Sequence, residues 1–277
     1  MNLTQKIAGI FILLCALSGQ LQAQAKSIEL TSPDATIKVS IHLGDKIYYS
    51  VSADNNVLLD KNHLGLILKD GALGENPVLV SAKKTKGNEL IKPLVPIKFS
   101  VVKSEYNDLL MNFKGDYAVE FRAFNDGVAY RFITKREGSI EVMNEDFSIH
   151  FPGNYLLHLQ QNNGFKTAYE ELYRQIQSTE WKQADKMANL PALIDTRNQY
   201  KILISESDLS DYPGMFLKGD GNNGVQGAFP QVPLEFGPDG DRSLKILKLA
   251  DYIAKSTGTR AFPWRYCVIA KNYRQLI

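Results

Sequence analysis

Apolar and polar residues alternate with period two over most of the chain from Ser27 onward, the spacing of half-buried strands. Ile37, Val39, Ile41 and Leu43 form one face, and Gly44-Asp45 turns the chain into a second inward face of Ile47, Tyr49 and Val51. Asp54-Asn55-Asn56 turns it again before the apolar segments 57–59 and 64–68, and Asp70-Gly71 ends the run. Turns at this spacing predict an antiparallel meander. Residues 72–95 are rich in Lys, Gly and Asn and predict a long loop or an edge excursion. Pro93 and Pro96 suit an edge, where a missing N–H does not interrupt a ladder.

Alternation resumes at Ile97, Phe99 and Val101, and again from Leu110 to the turn at Gly115-Asp116. Val119, Phe121 and Ala123 lead into Asn125-Asp126-Gly127, a hairpin signal, and Val128, Tyr130 and Phe132 return. Glu120, Arg122 and Arg131 fall on this hairpin as a cross-strand charged face. Strands continue over 147–158, broken at Pro152-Gly153. Tyr169, Leu172, Tyr173 and Ile176 follow i, i+3, i+4, i+7 and predict a helix over 167–181. The segments 190–194 and 200–204 flank a hairpin turn, and 219–227 is Gly/Asn-rich and reads as loop. Residues 229–236 are extended, and 244–248 and 266–270 are further strands. With no internal repeat and no linker, the pattern predicts a single, mainly β domain over residues 26–277, built of antiparallel strands with one or two short helices.

The stretch 204–217, I-S-E-S-D-L-S-D-Y-P-G-M-F-L, concentrates the candidate chemistry. Glu206, Asp208 and Asp211 follow the end of a buried strand, and Pro213-Gly214 turns the chain back. Carboxylates at such a place need water, a donor or a cation. Calcium, which takes several oxygen ligands, is one answer. The other is helix capping, since Ser205 and Asp208 have capping-box spacing.

Composition narrows the classes. The 277 residues are 44% hydrophobic, enough for a sizeable core, and the formal charge is +2. Near-neutrality argues against nucleic acid and anionic membranes as partners. Residues 1–25 carry Lys6, an eleven-residue apolar run over 7–17 and Ala23-Gln24-Ala25, the features of a cleaved export signal. The run is short for a membrane span. A lipoprotein reading of Cys15 is weakened by Leu14 in front of it. The expected product is exported, periplasmic and free of the membrane once the signal is removed. Cys15 leaves with the signal, so Cys267 has no partner for an internal disulfide and reads as a buried thiol.

His42, His63, His150 and His158 lack the spacing of a zinc pair. There is no G-x-S-x-G elbow and no dinucleotide fingerprint. Glycoside hydrolysis needs two carboxylates facing each other across the bond, and no pairing among Glu170, Glu171, Glu180 and Glu206 follows from spacing. No catalytic residue is assigned. Trp181 and Trp264 are candidate sugar platforms or packing residues.

Four blocks, S-P-D-A-T-I-K-V-S, N-D-G-V-A-Y-R-F, I-S-E-S-D-L-S-D-Y-P-G-M and G-T-R-A-F-P-W-R, resemble the N-terminal region of glycoside hydrolase family 97 in order and spacing. The resemblance implies a β-supersandwich packed against a following catalytic (β/α)8 barrel. It implies exported, calcium-dependent enzymes acting on α-linked glucosides or galactosides, with the catalytic carboxylates in the barrel. Carried over to this chain, it makes Glu206 the metal ligand, leaves Asp208 and Asp211 as capping or surface groups, and puts Arg260 and Trp264 near the barrel. The barrel is absent from these 277 residues, so the chain is expected to be inactive alone and to bind calcium weakly or not at all. The abrupt stop at Ile277 suggests a longer enzyme. The alternative is a free-standing carbohydrate-binding sandwich.

Overall fold

The computed structural model describes residues 26–276. The export-signal reading concerns residues outside that range. Antiparallel strands dominate and form a sandwich-like body. Lys26–Thr31, Ile37–Leu43, Ile47–Ala53 and Asn56–Leu68 pair in sequence as the predicted meander. Leu79–Ile91, Val102–Phe113 and Tyr117–Phe124 form a second series. A third runs through Leu156–Asn162, Ala192–Asp195, Lys201–Ser207 and Trp264–Ala270.

The 24-residue strand Gly127–His150 ties the series together. Its first half pairs with Tyr117–Phe124 on one edge, and with Trp264–Ala270 and then Ala254–Ala261 on the other. Its second half pairs with Asn56–Leu68 and Gly224–Ala228. The Asn125-Asp126 turn sets the register, with Phe124 opposite Gly127. Inward residues of all three series meet in one core, where Tyr49 lies edge-on to Phe121 and Tyr130 at 5.6 and 5.7 Å.

The expectation of short α-helices is corrected. The only helical segment among the described residues is a single 3-10 turn, Tyr273–Leu276. The predicted helix over 167–181 contains the strand Tyr173–Gln177, paired with Leu156–Asn162. Tyr169 has a positive φ of 58°, outside helical geometry. Leu172 is 83% exposed and Tyr173 62%, while Ile176 packs against the core from the strand, so the four residues do not form one buried stripe. The capping-box reading of Ser205 and Asp208 also fails, because the strand runs on through Ser207. Residues 79–91 form a regular edge strand where a loop was one reading. Ile97, Phe99 and Val101 are exposed and lie outside any strand. Residues 216–228 are a hairpin around the predicted loop.

Candidate functional site

Glu206 sits near the end of Lys201–Ser207, directly across from Arg265 in Trp264–Ala270. Both side chains point inward. The loop after Ser207 doubles back, so the backbone N–H of Met215 reaches the Glu206 carboxylate, at 2.9 Å to Oε1 and 3.1 Å to Oε2. Arg265 Nη1 also donates to Glu206 Oε2. The rest of the guanidinium is bound side-on by Glu145, with Nε to Oε1 and Nη2 to Oε2 both at 2.7 Å. The Arg265 side chain is 1% exposed, and those of Glu145 and Glu206 are 5% and 9% exposed. Phe229 and Tyr212 pack against the guanidinium at 5.2 and 5.8 Å.

The triad places two carboxylates on one guanidinium. Burial raises the pKa of Glu206, opposed by Arg265 and the Met215 N–H. Burial also works against the charge on Arg265, but Glu145 and Glu206 outweigh it and hold its pKa above the ordinary value. The chemistry is that of a satisfied internal ion cluster pinning four segments: the end of Lys201–Ser207, the start of Trp264–Ala270, the far half of Gly127–His150 and the loop to Met215.

The neighbouring predicted residues separate. Asp208 is exposed and has a positive φ of 67°. Asp211 pairs with Arg260 through two hydrogen bonds of 2.9 and 2.7 Å. Trp181 is 2% exposed and donates its indole N–H to Lys186 O at 3.1 Å, so it is a core residue and no sugar platform. Trp264 is half-buried on the outer face.

That outer face holds a second cluster. Glu120 accepts from Arg122 at 3.0 Å and from Arg131 at 2.6 Å, and Arg122 also donates to Asp108 at 3.2 Å. The Arg122 and Arg131 guanidiniums lie 4.6 and 4.3 Å from the Trp264 ring. Burial, then Glu120, pushes Asp108 up to about 6, while the same network lowers Glu120 despite its burial. The charged face read from the hairpin is therefore present; Asp108 and Trp264 complete it. Elsewhere the fold brings together His63 and His150, with ring centroids 6.0 Å apart, each against an aspartate: Asp146 at 3.0 Å and Asp220 at 3.2 Å.

Glu145 and Arg265 were not singled out from the sequence, though a signal existed. Glu145, Phe147 and Ile149 share one face of their strand, as do Arg265, Cys267 and Ile269. An acid and a base each stand at an inward position among apolar residues, and opposite charges so placed seek each other.

The resemblance implies calcium at Glu206. A calcium site requires several oxygen ligands. Glu206 already accepts a guanidinium and an amide N–H, and no group of three metal-ligating side chains occurs among the described residues. The residues of this chain do not by themselves fit the ion.

Fold and site together define a large antiparallel sandwich domain organised around a buried Glu–Arg–Glu triad. The chain belongs to the family Glycosyl-hydrolase 97 N-terminal, which it matches over residues 30–277. It is 31% identical over 280 residues to a retaining alpha-galactosidase of Bacteroides thetaiotaomicron, covering 96% of this chain and 42% of that protein. A glycoside hydrolase family 97 enzyme of Pseudoalteromonas sp. strain K8, solved with acarbose, superimposes with a TM-score of 0.72 at 19% identity, over 88% of this chain and 36% of that one. A beta-arabinopyranosidase gives a TM-score of 0.75 at 23% identity, over 89% and 40%. The chain thus spans less than half the length of these relatives.

Proposed function

We propose that this chain acts as the N-terminal structural and carbohydrate-binding domain of an exported α-glycosidase, whose hydrolysis of α-glucosides or α-galactosides is carried out by a separate (β/α)8 barrel of the same polypeptide. The observation that carries the reading is the match to a retaining alpha-galactosidase along nearly this whole chain but only 42% of the relative.

An apolar surface beside the Glu206 loop supports it. The two-stranded ribbon made by Pro233–Pro238 and Leu244–Leu249 is hydrogen-bonded as a sheet of its own. Its Leu234, Phe236, Leu244, Ile246, Leu247 and Leu249 are each between 47% and 60% exposed. A lone two-stranded ribbon is marginal in water, and a large apolar patch marks an interaction surface. The groove beneath the ribbon reaches Tyr212, Pro213 and Gly214 in the Glu206 loop. A barrel packed here would cover both. In this arrangement Glu206 supplies at most one ligand to a calcium ion held mainly by the barrel, sharing its carboxylate with Arg265.

The purified chain is expected to show no turnover of aryl α-galactosides or α-glucosides, with or without calcium, and a polypeptide extended to the length of its relatives to hydrolyse one of them. Measurable hydrolysis by the chain alone, or none by the extended form, would overturn the reading.

A further inference from the structure

The outer face carries a groove that neither the triad nor the apolar ribbon accounts for. Three neighbouring strands build it. Residues 127–129 form the floor, with Arg122 opposite Ala129 on one side and Tyr266 opposite Ala129 on the other. Val128 and Tyr130 point into the core, which leaves the small Ala129 side chain as the outward residue between them. Its flanking strands stand about 10 Å apart, twice the strand spacing. Phe124 forms one wall and Tyr266 the other, Arg122 and Trp264 meet across the groove and close it at one end, and Ser207 and Asp126 complete the lining. The cavity measures about 310 Å³, within the range of small-ligand sites.

The walls are held in place from below. Glu120 ties Arg122 to Arg131, and both guanidiniums lie against the Trp264 ring. On its other side Arg122 lies 4.3 Å from the Tyr106 ring, which in turn packs on Phe124 at 5.2 Å. Rigid aromatic walls bind with little loss of side-chain entropy. The charge balance excludes an anion as the preferred ligand. The two guanidiniums are matched by Asp108 and Glu120, and Asp126 adds a further negative charge at the rim.

We propose that this groove binds a neutral hexopyranose unit, its apolar ring face against Tyr266 beside Trp264 and its hydroxyls toward Arg122, Ser207 and Asp126. Aromatic walls with a few convergent polar groups at an edge are the surface such a ligand needs. The choice of a sugar among neutral polar ligands rests on the glycosidase reading above. The site itself lies in this chain and needs no barrel to form.

The test is a titration of the purified chain with methyl α-D-galactopyranoside and methyl α-D-glucopyranoside, followed by tryptophan fluorescence. The chain has two tryptophans, and Trp181 is buried, so Trp264 reports. A saturable change with a millimolar dissociation constant is expected for at least one sugar. Ala129→Leu, which fills the floor, and Tyr266→Ala, which removes a wall, should each weaken it by about tenfold or more. Both variants are first checked for an unchanged circular dichroism spectrum. Should one misfold, the other decides; should both, saturation-transfer NMR on the unmodified chain decides. A flat titration confirmed by NMR, or undiminished binding by the folded variants, overturns the proposal. Such a result would also remove the carbohydrate-binding part of the reading above, but it is independent of whether a longer polypeptide hydrolyses glycosides, so the catalytic reading and this site fail separately.

Discussion

Arg265 and Glu145 meet side-on through two hydrogen bonds of 2.7 Å, although 120 residues separate them in sequence. One strand makes this possible. Gly127–His150 pairs with the Arg265 strand at Tyr130 and carries Glu145 at its far end. The guanidinium left over by Glu145 reaches Glu206, and the loop to Met215 closes on the same carboxylate.

Removing the cation from this cluster leaves two buried acids without a counter-charge, Glu206 keeping only the Met215 N–H. Arg265→Met is therefore expected to destabilise the chain by about 3–5 kcal/mol. Glu206→Gln should cost less, because burial already disfavours the charge it removes and the amide oxygen can still accept from Met215 N–H. Urea denaturation of the two variants measures the difference. Equal losses would show that the triad does not depend on Arg265 as its centre.

Asp108 sets a pH dependence. Its folded pKa, raised by burial and Glu120 to about 6, lies above the ordinary aspartate value of 3.8. The folded state thus holds this proton more tightly than the unfolded state. The contribution is fully present below about pH 3.8 and is lost as pH rises through 6. Asp146 acts in the opposite sense. It is partly buried, but His63 and Lys46 outweigh burial and bring it down to about 2, so its stabilisation is present above pH 3.8 and lost as pH falls through 2. Between pH 4 and 7 the parent should lose stability relative to Asp108→Asn as pH rises, read from the denaturation midpoints of the two proteins across that range. An unchanged slope would remove Asp108 from the account.

The Cys267 thiol is buried, and burial pushes its pKa up to about 12. A thiol held protonated and out of solvent does not react as a nucleophile. The chain from residue 26 onward should resist a disulfide reagent when folded and titrate as one thiol per molecule in denaturant. Rapid labelling of the native protein would mean that the strand pairing around Cys267 opens readily.

At Gly127 an added Cβ would lie 2.4 Å from the carbonyl oxygen of Cys267. The two strands cannot keep their register and accommodate it. Gly127→Ala should cost about 1–3 kcal/mol, the range of overpacking, read as a lowered urea midpoint. A neutral substitution would place the neighbouring strand farther away than it is here.

The sequence by itself determined most of the strands, because period-two alternation between turn residues is a local property of the chain. The meander over 37–68 and the hairpin at Asn125-Asp126-Gly127 follow from residues a few positions apart. The charged face of Glu120, Arg122 and Arg131 was legible for the same reason, since the hairpin register fixes those neighbours. The helix expected over 167–181 misled, because Tyr169, Leu172 and Tyr173 have helical spacing but face solvent, and only tertiary packing tells an apolar stripe that is buried from one that is not.

The crowding of acids after a buried strand drew attention to Glu206, Asp208 and Asp211, and the family resemblance singled out Glu206 among them, but its partners were not picked out. Arg265 lies 59 positions away and Glu145 lies 120 positions from Arg265. Only the course of the long strand through the sandwich brings the three together. An ion cluster or a groove between strands belongs to the arrangement of distant segments, and local periodicity carries no record of that arrangement.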